Sequence, residues 1–265
     1  MATYLDTILD AHRAVAALDR RPVERLVAEA LAEPPARGFR AALAEVAAAG
    51  GLAVVAEVKK RSPSKGDLAP EAVPSVLAKA YADGGATCLS VLTDAEFFGG
   101  APAELGEARA AVEIPVLRKD FTVSEQDVCD ARLIGADALL LIVAALSDDE
   151  LARFHALAGE VGLEALVEVH DEAELDRALA VGATLVGVNQ RDLTTFEVDT
   201  NRAVRVKASI PDGVVAVAES GITGPGDAAR LAEAGYAAVL VGESLVTSPD
   251  PAAAVRALRS VAPCS

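Results

Sequence analysis

Eight short β-rich apolar runs, each separated from the next by a stretch with helical spacing, constrain this chain more than any other feature. They are LAVVAEV (52–58), TCLSVL (87–92), IPVLRK (114–119), ALLLIV (138–143), EALVEV (164–169), TLVGVN (184–189), VVAVAES (214–220) and AAVLVG (237–242). The segments between them, such as SDDELARFHALAGEVG (147–162) and DEAELDRALAVG (171–182), open on Ser or acidic caps and close on Gly. Strands alternating with helices at this interval pair in parallel through right-handed crossovers. Eight such units in 265 residues predict the α/β class and a single (β/α)8 TIM barrel, for which roughly 250 residues is typical. An open doubly wound sheet is the alternative, but no G-x-G-x-x-G follows the first run to support it. The recurring GGAT, GAD, GAT and GYAA before every second strand mark helix ends turning into strands, a weak internal repeat. Residues 1–50 fall outside the eight units. YLDTILDAHRAV and VERLVAEAL have helical periodicity and EPPARG interrupts it, so 1–50 is read as a helical extension packed on the barrel of 51–265.

The chain is 52% hydrophobic with no Trp, so the core must come mainly from Ala, Val, Leu and Ile. A net charge of −16 argues against nucleic acid as a partner, since its phosphates would meet a repelling field. Small anions are a different matter, because Lys59, Lys60, Arg61 and Lys65 crowd positive charge into one short stretch. For Lys60, Arg61 and Lys65 a solvated loop fits equally well. Cys88, Cys129 and Cys264 have neither disulfide-framework nor metal-site spacing, and no metal is expected. The first residues carry scattered charges instead of the apolar core of a signal peptide, and ALLLIVAAL (138–146) is far short of a membrane span. A soluble cytoplasmic protein is expected.

In such a barrel the chemistry belongs at the carboxyl ends of the strands and in the loops after them. Glu57 and Lys59 share one face of the first run, where apolar residues would continue the pattern. Further ends carry Arg118-Lys119-Asp120, Glu168-Val169-His170, Asn189-Gln190-Arg191-Asp192 and Glu219-Ser220-Gly221. An ammonium beside a carboxylate in a partly dry pocket feels desolvation and the opposite charge at once, which is a usual setting for acid/base work. A purely structural ion-pair network is the competing reading. ESGI (219–222) and VGES (241–244) put Gly and backbone N–H groups at the seventh and eighth strand ends, where barrels frequently hold phosphate. The leading expectation is therefore a phosphorylated small molecule. His170 is read as a loop hydrogen-bonding residue, and His12 and His155 as surface or packing residues. TDAEFFGG (93–100) reads as a loop over the mouth, with Phe97 and Phe98 offering apolar contact.

EVKKRSPSKG, FFGG, PVLRKDF, LVEVHDEAEL, GVNQRDL, VAESGI and VLVGESL stand in an order and spacing that resemble the indole-3-glycerol-phosphate synthase family, from about Val54 to Val246 and into the helical N-terminus. The resemblance implies ring closure of 1-(2-carboxyphenylamino)-1-deoxyribulose 5-phosphate with loss of carbon dioxide and water, and no cofactor. It implies that Lys119 is the general acid at the substrate carbonyl and Glu168 the acid/base of the dehydration. Lys59 is similar to a lysine that contacts the substrate's anionic groups, with Glu57 and Asn189 orienting the lysines and Ser220 lining the pocket. Ser62 and Arg191 resemble contacts to the carboxylate, while Gly221, Gly242 and Glu243 fall at the phosphate end. Glu243 departs from the small Ser carried by many members, and its carboxylate would repel phosphate if it turned inward. Two alternatives stay open: another phosphate-binding barrel, such as phosphoribosylanthranilate isomerase, and a non-catalytic sugar-phosphate or protein binder.

Overall fold

A computed structural model describes residues 3–63, 65–192 and 195–260. Cys264 lies outside the described residues, and Cys88 and Cys129 are free thiols in the interior. The eight runs form strands β1 (Ala53–Val58), β2 (Cys88–Leu92), β3 (Val116–Lys119), β4 (Ala138–Ile142), β5 (Glu164–Val169), β6 (Leu185–Asn189), β7 (Val215–Glu219) and β8 (Ala238–Val241). All neighbours pair in parallel, and β8 closes onto β1, giving the expected barrel and excluding the open sheet. Closure leaves no sheet edge.

Helices follow the strands, among them α4 (Pro74–Asp83), α5 (Pro102–Ala110), α10 (Pro225–Glu233) and α12 (Pro251–Arg259), and capping residues set several of the helix starts. Ser147 and Glu150 form a reciprocal capping box at the start of α7 (Asp148–Glu160), and Asp171 caps α8 (Glu172–Ala180). Two of the repeated helix-end glycines, Gly135 and Gly235, adopt φ of 91° and 89°, a left-handed turn that a side chain would strain.

The first three helices brace the barrel at both ends. α3 (Phe39–Ala48) packs under the amino ends of the strands, burying Phe39 and Leu43 completely. Its approach is fixed by Arg37 and Arg40, whose backbone N–H groups donate to Asp137 (2.8 Å) and Glu164 (2.6 Å). α2 (Val23–Ala32) lies against α6 (Glu125–Leu133). α1 (Tyr4–Ala16) reaches the opposite end, where Tyr4 meets Phe97 and Phe196 edge-on at centroid distances of 6.0 and 5.0 Å.

Register puts the polar strand ends at one level. Asn189 is level with Glu219, Ile142 with Glu168 and Leu92 with Lys119. One inward position deeper, strand alternation places Val55, Leu117, Leu166 and Val217, all buried. The interior is therefore an apolar plug capped by an ionisable layer. Among the described residues, no helix is long and apolar enough to cross a membrane.

Candidate active site

The carboxyl ends of the strands open into a cavity of about 760 Å³. Its wall contains every residue to which the family resemblance assigns a place at the site: Glu57, Lys59, Ser62, Lys119, Glu168, Asn189, Arg191, Ser220, Gly221, Gly242 and Glu243. The sequence spreads these residues over nearly two hundred positions; barrel closure brings them together.

Lys119, at the end of β3, forms the centre. Its Nζ lies 2.9 Å from Glu168 Oε2 and 3.3 Å from Glu219 Oε2. Burial works against the ammonium, but Glu168, Glu219 and Glu57 together outweigh it and hold the Lys119 pKa above its ordinary value. Burial likewise penalises the Glu168 carboxylate. Lys119, His170 and a 3.1 Å hydrogen bond from Asn189 Nδ2 overcome that penalty and keep its pKa below the usual carboxylate range.

Lys59 stands one residue beyond the end of β1, yet its Nζ pairs with Glu57 Oε1 at 2.8 Å, as side chains two residues apart on one face should. Ser90 Oγ donates to the other Glu57 oxygen at 3.4 Å. Gly242 permits this pair, because a Cβ there would run into Glu57 Oε1 and stand 3.1 Å from Lys59 Nζ.

The sequence places Glu219 among the ionisable strand ends but assigns it no individual role, and ESGI draws attention to its backbone. Burial first, then repulsion from Glu168 and Glu57, push its carboxyl up to about 7, with Lys119 opposing. Its Oε1 makes no hydrogen bond among the described residues. Gly187 in β6 makes room for it, since any Cβ would overlap that same oxygen. A recognisable signal was available: Glu219 is the charged end of an apolar strand with the same inward parity as Glu57 and Glu168.

The other lining residues named from the sequence lie around this cluster. Ser62 sits on a two-residue ladder, Arg61–Ser62 against Gly66–Asp67, and its buried hydroxyl has no hydrogen bond among the described residues. The Arg191 guanidinium donates to the Phe196 carbonyl, while its backbone N–H donates to Asn189 Oδ1 at 3.0 Å. Ser220 and Gly221 both adopt positive φ, 65° and 70°, so the chain turns sharply just past β7. Glu243 begins the short helix α11 (Glu243–Val246), with its carboxylate 3.7 Å from Lys65 Nζ. Lys60 pairs with Glu104, and Arg61 donates to the carbonyls of Ala95 and Glu96, so these cations serve loop contacts.

Two histidines do more than expected. His12 lies in α1, where the helical pattern suggests a packing or surface role, but its Nε2 pairs with Asp94 Oδ2 at 2.9 Å. The other oxygen of Asp94 accepts from the N–H groups of Phe97 and Phe98, and Phe98 lines the cavity. His170 hydrogen-bonds from its loop to the first turn of α8, through Nδ1 to Glu174 at 2.9 Å; its ring also faces Glu168. His155 is half-buried on α7, and burial lowers its pKa.

Comparison with known proteins gives this geometry a family. Over 90% of its length the chain is 51% identical to "Indole-3-glycerol phosphate synthase 2" of Streptomyces coelicolor, covering 91% of that protein. It is 48% identical to the Chloroherpeton thalassium indole-3-glycerol phosphate synthase over 95% of its own length and 97% of that protein's. Among solved structures, 3-hexulose-6-phosphate synthase superposes with a TM-score of 0.63 at 16% identity, covering 80% of this chain and all of that one, a likeness of fold alone. The family model described as indole-3-glycerol phosphate synthase matches residues 5–258, and the chain belongs to that family.

Proposed function

We propose that the barrel mouth closes the indole ring of 1-(2-carboxyphenylamino)-1-deoxyribulose 5-phosphate, releasing carbon dioxide and water, with the residue roles that follow. The single observation that carries this reading is Lys119 held between Glu168 and Glu219 over an apolar floor. Ring closure builds charge on a carbonyl oxygen, so a positioned ammonium that stays protonated is the donor it needs. Lys119 fills that role. Carbon dioxide then departs from the quaternary ring carbon and restores aromaticity. Glu168, kept ionised, takes the proton that must leave carbon as the hydroxyl is expelled. Lys59, aimed by Glu57, meets the substrate's anionic groups and assists that departure. Asn189 fixes Glu168, and Glu219 braces Lys119 from its second side.

Backbone N–H groups at Gly221, Gly242 and Glu243 take the phosphate, while Ser62 and Arg191 take the carboxylate. With Lys65 drawing the Glu243 side chain toward itself, the carboxylate need not confront the phosphate. Each chain supplies the whole mouth, which favours a site complete within one protomer, with residues 1–50 and 51–265 working as one unit. Buried free thiols at Cys88 and Cys129 suit a reducing cytoplasm.

The test is a continuous assay with the named substrate, following indole fluorescence against a chain that has no Trp. Turnover abolished in Lys119→Ala and in Glu168→Gln is the expected result. A folded protein that binds the substrate without converting it would leave only a sugar-phosphate binder.

A further inference from the structure

His170 follows β5 and is outside the cavity wall, directly behind Glu168. Its Nδ1 lies 2.9 Å from Glu174 Oε2, the same oxygen that accepts its backbone N–H at 2.8 Å. Its Nε2 lies 3.5 Å from Glu168 Oε1, is buried, and makes no hydrogen bond among the described residues. A neutral imidazole carries one N–H and one lone pair, so either tautomer would turn a lone pair on a carboxylate. Only the doubly protonated ring presents a donor to both.

We propose that His170 is a positioning residue: pinned from behind by Glu174, its imidazolium holds the Glu168 carboxylate ionised and oriented at the mouth. This rests on the assignment of Glu168 as the acid/base given above. The charges facing the ring are Glu168 on its own strand, Glu174 on α8, and Arg202 on α9 (Arg202–Lys207), which opposes. Burial disfavours the imidazolium, but Glu174 and Glu168 outweigh burial and Arg202, and the net direction is upward. The benefit is mutual, because the same cation helps keep Glu168 charged. If His170 merely tied down the first turn of α8, none of this would reach the mouth.

The experiment compares kcat–pH profiles of the wild-type protein, His170→Asn and Glu174→Gln, alongside carboxyl 13C NMR titration of Glu168, assigned with Glu168→Gln. Removing a cation this close should raise the Glu168 midpoint and the acid limb of kcat by about one unit, a roughly ten-fold loss of rate on that limb, with KM little changed. Glu174→Gln, which keeps the ring but removes the charge behind it, should shift both in the same direction by less. An unmoved Glu168 midpoint in His170→Asn overturns the inference, whether activity is retained or falls equally at every pH. A wild-type protein that never turns over the substrate would remove the functional reading alone, because the NMR midpoint is read without turnover.

Discussion

Replacing Glu219 by Gln should make this protein more stable in alkali while making it a worse catalyst. The folded state raises this carboxyl from 4.5 to about 7. A raised folded pKa means that the native state holds the proton more tightly than the unfolded chain. Its contribution is fully present below about pH 4.5, and stability is lost as pH rises toward 7, where the native carboxyl finally ionises. With these two midpoints, linkage gives about 2.5 kcal/mol of stability lost between pH 5 and pH 8 from this one group. Gln cannot ionise, so the variant escapes that loss. Comparing the variant's advantage at the two pH values cancels the neutral contacts that the substitution also alters. For a chain of this size the advantage should widen by roughly 5 to 10 °C in Tm from pH 5 to pH 8. Circular dichroism melts of both proteins at both pH values measure it. Parallel pH dependence in the two proteins would refute the reasoning, showing that Glu219 ionises at an ordinary pH. The accompanying fall in kcat follows because Lys119 keeps only one of its two adjacent carboxylates.

Other substitutions test the remaining parts. Glu57→Gln should lower kcat more than it raises KM, because it frees Lys59 without removing it, and steady-state kinetics with unchanged kcat would sink that role. Gly242→Ala pushes a methyl group into the Glu57–Lys59 pair; a displacement of about 1 Å there should cost up to roughly 10²-fold in kcat/KM, with little change in Tm. Gly221→Asp forces a side chain onto a φ of 70° and a negative charge onto the proposed phosphate end, so substrate affinity measured by calorimetry should fall, and unchanged affinity would move the phosphate elsewhere.

The barrel was legible because its signals are local: apolar runs of strand length, capped helices, and glycines that end them. The level of the functional groups was legible too, since alternation along Glu57–Val58–Lys59 and Val167–Glu168 fixes which side chains point inward. What the sequence does not reveal depends on contacts between distant parts. Nothing local to DAHRAV says that His12 will meet Asp94, 82 residues on, or that α3 will dock through Asp137 and Glu164. Glu219 is hidden for a different reason. The glycine and serine beside it offered a phosphate reading, and the carboxylate's role emerges only with Lys119 and the vacancy over Gly187 in place.

The apolar plug beneath the charged layer has a consequence for how protons are counted. A substrate that arrives with its carboxylate ionised and leaves as carbon dioxide, water and a neutral ring takes up one proton overall. Val55, Leu117, Leu166 and Val217 offer that proton no path from below, as none carries a group that can donate or accept one. That proton must therefore come from the charged layer itself or from solvent at the open side of the cavity. A carboxyl that burial holds above the usual carboxylate range, as it does Glu219, is suited to lend one and be refilled.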